Sequence, residues 1–164
     1  MADIIQEWKK ITAADKHKYL RFFRNSRLKT DMPKILTWHD EAFKKVNCLS
    51  CANCCRTTPA LVNKTDIERI AGYVKMKTRE FVKSYVLEDI NGELSLNSVP
   101  CRFLNPDNTC QIYEVRPMAC RQFPHTNDPE YFKRPVLNAN NVIVCPAAYY
   151  IAEKLMASLQ DNKP

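Results

Sequence analysis

The stretch Cys48-Leu49-Ser50-Cys51-Ala52-Asn53-Cys54-Cys55 decides how the rest of the chain is read. Four thiols fall within eight residues, and Cys101, Cys110, Cys120 and Cys145 follow further along. Free cysteine that merely fills a core is a scattered small hydrophobe and does not cluster in this way. A C-x2-C step has a mechanical meaning. A tight turn after the first cysteine lets two sulfurs converge on one ion while backbone N–H groups point at the thiolates. All eight cysteines are therefore expected to be metal ligands. Cys54 and Cys55 are adjacent, and neighbours on an extended segment point to opposite sides. That predicts two metal centres, or one cluster plus one free functional thiol.

Eight cysteines also suit a disulfide scaffold, but that alternative belongs to secreted chains. The start Met1-Ala2-Asp3-Ile4-Ile5-Gln6-Glu7-Trp8-Lys9-Lys10 carries acidic residues and no apolar run, so the expectation is a cytoplasmic location with reduced thiols. The repeated step C-x2-C-x2-C opens the ligand run of bacterial iron-sulfur proteins. Two closed zinc sites would serve as well, and would be structural.

The length of 164 residues fits one domain, or one domain with an extension. No run of apolar residues approaches a membrane span. With only Gly72 and Gly92 available, neither a glycine-rich dinucleotide loop nor a P-loop can be built. The net charge of +7 is uneven: residues 1–46 hold eleven Lys/Arg against six Asp/Glu, whereas 47–164 hold fourteen against twelve.

Upstream of the cysteines the pattern is helical. Ile4, Ile5, Trp8 and Ile11 recur at helical spacing, then Tyr19, Leu20, Phe22 and Phe23 do so within Lys16–Leu28. Pro33 opens a third helix bearing Ile35, Leu36, Trp38, Ala42, Phe43 and Val46. Lys16, Lys18, Arg21, Arg24, Arg27 and Lys29 would suit nucleic acid, anionic lipid or an acidic protein partner. The plainer account is a solvated basic face over a packed aromatic one. Downstream, Thr65-x-x-Glu68 reads as a capping box, and Thr78 starts a helix carrying Phe81, Val82, Tyr85 and Val86. Asn91-Gly92 marks a turn, and 93–99 alternates as a short strand would. Asn105-Pro106-Asp107-Asn108 demands a chain reversal that returns Cys110 to Cys101. Pro117 suits the first turn of a helix presenting Cys120. Cys145-Pro146 precedes a periodic apolar helix whose N-terminus favours thiolate.

C-x2-C-x2-C-C, then P-C-x-F-L, a turn, C-x-I-Y-E-x-R-P-x-x-C-R-x-F-P and a late Cys-Pro together resemble the bacterial cysteine-cluster proteins, a zinc- or iron-chelating family also counted among iron-sulfur proteins. The similarity runs from about Cys48 to Cys145; the first 46 residues lie outside it. It implies a metal site formed by Cys48, Cys51, Cys54, Cys55, Cys101, Cys110, Cys120 and Cys145, and little about activity. A flagellin lysine methylase is a larger relative, of which this chain resembles only the cysteine module. His125 departs from the pattern, where an aromatic residue is common.

The fold expected is mainly α with a small irregular cysteine-rich centre and minor β. Residues 1–46 are expected as a helical extension, and 47–160 as the eight-cysteine domain with its C-terminal helix. The ligands are expected to divide into Cys48, Cys51, Cys54 and Cys145 at one centre and Cys55, Cys101, Cys110 and Cys120 at the other. Arg56, Arg102, Arg116 and Arg121 would offset thiolate charge; for Arg116 the alternative is an ion pair with Glu114. His125 is the one histidine beside the motif, whereas His17 and His39 carry no signal. Three functions remain in competition: an iron-sulfur protein with a redox or accessory role, a zinc-stabilised binding module using the basic helices, and a methyl-transfer enzyme by analogy with the larger relative. A 4Fe-4S cluster or zinc is the cofactor expected.

Overall fold

The computed structural model describes residues 3–25 and 31–160. Along the chain the first helices are α1 (Ile4–Trp8), α2 (Lys16–Phe23) and α3 (Met32–Lys45). The cysteine stretch forms two short ones, α4 (Cys48–Cys51) and α5 (Asn53–Thr57). Then come α6 (Lys64–Tyr73), α7 (Thr78–Tyr85), and the strands β1 (Val86–Glu88) and β2 (Leu94–Leu96). The last are α8 (Met118–Gln122), α9 (Pro135–Val144) and α10 (Pro146–Gln160). The protein is thus mainly helical with a two-stranded sheet, the class expected.

The chain divides into two compact units, 1–47 with 124–164, and 48–123. The sequence division at 46/47 falls at the edge of the second unit. The C-terminal helix, expected to belong with the cysteines, instead packs among the N-terminal helices: α10 against α1, α3 and α9, and α2 against α9.

In the first unit the amphipathic pattern of α2 buries Tyr19 and Phe23 while Lys18, Arg21 and Arg24 face outward. Arg27, Leu28 and Lys29 lie outside the described residues. Pro33 does sit in the first turn of α3, where the Asp31 carboxylate accepts the Lys34 N–H. Ile35, Ala42 and Val46 from this segment meet Ala139 and Val142 of α9 and Ala147, Ala148, Ile151, Ala152 and Leu155 of α10 in one core. The alanines matter because small side chains let helices approach closely. Helix α9 was not expected. Its sequence Pro-Val-Leu-Asn-Ala-Asn-Asn-Val-Ile-Val shows little polar-apolar period, and its asparagines read as loop. Their amides are consumed inside: Asn138 donates to the Tyr131 carbonyl at 2.6 Å and Asn141 to that of Pro124 at 2.8 Å. Trp8 likewise buries its ring and donates to the Val142 carbonyl at 3.0 Å.

In the second unit α6 and α7 cross over a core of Val62, Ile67, Ile70, Ala71, Phe81, Leu96, Phe103 and Ile112. The capping box expected at Thr65 and Glu68 lies two residues earlier. Asn63 caps the Asp66 N–H at 2.8 Å and Asp66 accepts the Asn63 N–H in return at 3.2 Å. Asn and Asp serve the reciprocal geometry as Thr and Glu would. Strand β1 pairs antiparallel with β2 through the Asn91-Gly92 turn, with Val86 opposite Leu96. Gly92 takes φ 80° there, the left-handed conformation that a side chain resists. On the other side of β2 runs the chain leaving the cysteine stretch, Val62 donating to Leu94 at 2.9 Å and Leu96 to Ala60 at 2.8 Å. The sheet therefore holds the exit of the cysteine stretch against the two-helix core.

Candidate metal centre

None of the eight cysteines is in a disulfide. Seven of them, Cys48, Cys51, Cys54, Cys55, Cys101, Cys110 and Cys120, lie in the second unit, and Cys145 lies in the first. The stretch Cys48–Cys55 is helical, not extended. Helix α4 closes with the Ala52 N–H on the Cys48 carbonyl at 2.8 Å, and Ala52, buried, takes the left-handed φ of 47° before α5 begins. That sharp joint sets the two short helices apart in direction, at a cost of about 1–2 kcal/mol for a residue with a Cβ.

Because α5 is helical, Cys54 and Cys55 do not point to opposite sides, and the expectation built on an extended pair is overturned. Their sulfurs stand 4.0 Å apart. A tetrahedral ion with Zn–S bonds of about 2.3 Å spaces its thiolates by about 3.8 Å. Adjacent cysteines of this chain are thus at a spacing that one ion can bridge.

The other thiols come to Cys55 through backbone pairing. The Cys101 N–H donates to the Cys55 carbonyl at 2.7 Å. From Cys101 the chain reverses as its Asn-Pro-Asp-Asn sequence requires: the Asn105 N–H meets the Thr109 carbonyl at 2.9 Å, Asp107 accepts from the Thr109 hydroxyl at 2.6 Å, and Leu104 bridges to Cys110. Asn108, at φ 68°, ties this loop to the first cysteine turn, its Nδ2 donating to the Leu49 carbonyl at 2.7 Å and its Oδ1 accepting from Arg56.

Cys120 is carried by α8, whose preceding residue is Pro117 as expected, although Pro117 sits just outside the first turn. The segment leading into it is held by α6. Asp66 accepts the Met118 N–H at 3.2 Å, and the Arg69 guanidinium donates to the carbonyls of Arg116 at 3.0 Å and Val115 at 3.4 Å. Arg121 donates to the carbonyls of Arg116 and Glu114 at 3.1 and 2.7 Å.

These contacts place the thiols in one electrostatic neighbourhood. Burial pushes Cys120 up to about 12, helped by the charges of Cys55, Cys101 and Cys110. Cys101 and Cys110 are raised chiefly by burial too, each feeling Cys55, and Cys48 is raised by burial and then by Cys51 and Cys55. Cys55 goes the other way, to about 7: the Cys54 thiol donates to it, and Arg56 adds a favourable charge against the burial penalty. Arg116 is the cation common to Cys48, Cys110 and Cys120, drawing each downward. It forms no ion pair with Glu114; its guanidinium lies 3.9 Å from the centre of the Tyr113 ring and donates to the Tyr113 carbonyl at 3.1 Å. Of the remaining arginines expected near thiols, Arg102 lies over the Tyr85 ring at 5.8 Å.

The donor set is all thiol, which suits zinc or iron-sulfur and excludes a hard-cation site of the calcium or magnesium type. Among the described residues no group of three or more His, Cys, Asp and Glu side chains is arranged to hold a metal ion as it stands. The donor chemistry and the Cys54–Cys55 spacing fit a thiolate-bound metal; the remaining thiols are brought near by backbone contacts without closing on a common point. His39 donates or accepts at Thr126, 2.8 Å away, within the first unit, and His125 takes φ 63° there; burial lowers the pKa of both. Sequence reasoning passed over Asp66 and Arg69, and read Asn108 as part of the turn without its tether to Leu49. The i,i+3 spacing of Asp66 and Arg69 on a helix was legible, but nothing local tells which distant carbonyls they serve.

A family model described as "CxxCxxCC: Putative zinc- or iron-chelating domain" matches residues 47–139. The chain belongs to that family. It is 37% identical over 83 residues to an uncharacterized protein of Methanocaldococcus jannaschii, the match covering 49% of this chain and 44% of that one. The chain thus matches less than half the length of that relative. No solved structure matches. Among the described residues no helix is long and apolar enough to cross a membrane.

Proposed function

We propose that this protein holds iron-sulfur on its cysteines and serves a redox or accessory role. Cys55, Cys101, Cys110 and Cys120 would hold one centre, and Cys48, Cys51 and Cys54 would contribute to another. One observation carries the reading: a backbone hydrogen bond from Cys101 to Cys55, with the reversal at 105–109, gathers thiols from three separate stretches into one field where each feels Cys55. Several half-buried thiolates so close repel one another, and a bound cation removes that penalty. Iron-sulfur bound there would supply one-electron transfer. The chain's own part is to keep the thiols near one another and, through Arg116 and Arg56, to offset their negative charge.

Zinc is the second reading, and the 4.0 Å between the Cys54 and Cys55 sulfurs favours it. That distance suits two thiolates on one ion, whereas a cluster takes one thiolate per iron. Anaerobic purification followed by iron, sulfide and zinc analysis separates the two. Brown protein with matched iron and sulfide supports the first; colourless protein with stoichiometric zinc replaces it with the second. A chain that retains neither on its thiols discards both.

A further inference from the structure

We propose that Asp66 and Arg69 are positioning residues for Cys120, setting where that thiol stands within the metal centre. The inference rests on the reading of Cys120 as a ligand.

Helix α8 has no cap of its own. Pro117, which precedes it, has no side-chain oxygen to accept a first-turn N–H. The acceptor comes from a helix 52 residues away in sequence: Oδ1 of Asp66 takes the Met118 N–H at 3.2 Å. Asp66 is buried, 2% exposed, and its carboxylate is shared among three donors, the others being the Asn63 N–H and the Arg69 guanidinium at 2.5 Å. One side chain therefore starts α6 and α8 together.

Arg69 shows by its geometry what the pair is for. A guanidinium that served only the carboxylate would use its fork, two parallel N–H groups on two oxygens. Here a single terminal nitrogen meets Asp66, Arg116 and Val115, while the buried Nε has no partner. The cation is placed for the two backbone carbonyls just ahead of Pro117. Asp66 and Arg69 thus grip the segment from Val115 to Met118 on both sides of the proline, and Cys120 follows within the same helical turn. A buried pair of this kind is a weak source of stability beside apolar packing of equal volume, but its fixed donor and acceptor directions define a position.

The test is a mutant cycle on the full chain, stripped of metal and titrated with zinc against a competing chelator, and with cobalt for its thiolate charge-transfer absorption. Asp66→Asn should weaken zinc by about 10- to 100-fold, the range for a residue that orients a ligand, and reduce the cobalt-thiolate band. Placed in a Cys120→Ala background, the same substitution should change affinity little, because the thiol it positions is gone. An equal fold-loss with and without Cys120 overturns the proposal, since Asp66 would then act on the fold at large. If Asp66→Asn does not fold, Arg69→Lys carries the same cycle. Unchanged binding in Cys120→Ala also overturns it, by removing Cys120 from the ligands. A wild-type chain that binds neither zinc nor cobalt through thiolate fails at the proposed function itself, and takes this inference with it.

Discussion

The side-chain amide of Asn108 donates to the backbone carbonyl of Leu49 at 2.7 Å, joining two cysteine-bearing stretches that are 59 residues apart in sequence. Asn108 holds a left-handed backbone while doing so, and its oxygen accepts from Arg56. Asparagine is one of the few residues that tolerates that conformation. Asn108→Gly should keep the loop and lose the tether, and Asn108→Ala should lose both. The expected order of stability in urea unfolding is wild type, then Gly, then Ala, with the Ala variant lower by about 1–3 kcal/mol. Equal stability of all three would mean that the tether contributes nothing.

Thiol reactivity should be sharply graded in the metal-free chain. Cys55 sits at about 7 and Cys120 at about 12, so near neutral pH a large share of Cys55 is thiolate and almost none of Cys120 is. Brief alkylation followed by peptide mass analysis should find Cys55 modified well ahead of Cys120, and zinc should protect it. A chain in which Cys120 reacts first contradicts the burial described for that residue.

The same shifts fix how stability varies with pH. Cys48, Cys101, Cys110 and Cys120 are raised above the ordinary thiol value of 9.0, so above that pH the unfolded chain gives up protons that the folded chain retains. Stability of the metal-free protein should fall as pH rises past 9.0, through the interval ending near 12. Cys55 contributes in the opposite sense and over a lower interval. Its thiolate is favoured in the fold, a contribution present above 9.0 and lost as pH falls through about 7. Urea midpoints across this range, compared with a Cys55→Ser variant, separate the two.

Helix α6 carries two residues at positions their chemistry does not favour. Gly72 lies inside the helix with nothing within 4 Å of where a Cβ would stand. Lys75, just past its end, takes φ 57°, and the bonds Met76 N–H to Ala71 and Lys75 N–H to Gly72 form the closing motif that usually employs glycine. Gly72→Ala should stabilise the protein by about 0.5–1 kcal/mol, and Lys75→Gly by a similar amount. Additivity in the double variant can be read from thermal unfolding; a loss from either substitution would mean that the helix end is built otherwise.

Metal removal should be felt locally. The stretches 48–58 and 101–110 are held by short loops and side-chain tethers, whereas Ile67, Ile70, Ala71 and Phe81 belong to an apolar core. Hydrogen exchange should show the cysteine loops losing amide protection on chelation, with α6 and α7 keeping theirs. Loss of protection throughout the unit would make the metal its principal support.

The sequence made the helices with a clean apolar period legible, together with their starts where the cap is local, as with Pro33 in α3. It misled where the deciding partner is distant or the pattern ambiguous. Asparagines at 138 and 141 favour turns by their own chemistry, and only the carbonyls of Tyr131 and Pro124 turn them into helix residues. Thr65 and Glu68 offered a capping box as good as the true one at Asn63 and Asp66. Asp66 prevails because its burial and its bond to Met118 demand that position. The cysteines announced themselves through spacing, but Cys54-Cys55 was read as strand-like, since nothing in the pair signals the left-handed joint at Ala52. Arg69 bears no motif, and the turn signal that contains Asn108 does not tell that its amide reaches Leu49.

The first unit is assembled from both ends of the chain, 1–47 and 124–164, while the cysteine-bearing unit is one unbroken stretch. During synthesis the N-terminal helices must therefore wait, with Tyr19, Phe23 and Ile35 uncovered, until the ribosome has released α9 and α10. The second unit meets no such delay and can fold as soon as it emerges. The order of translation thus lets the stretch that bears seven of the thiols assemble before the helical partner of Tyr19 exists.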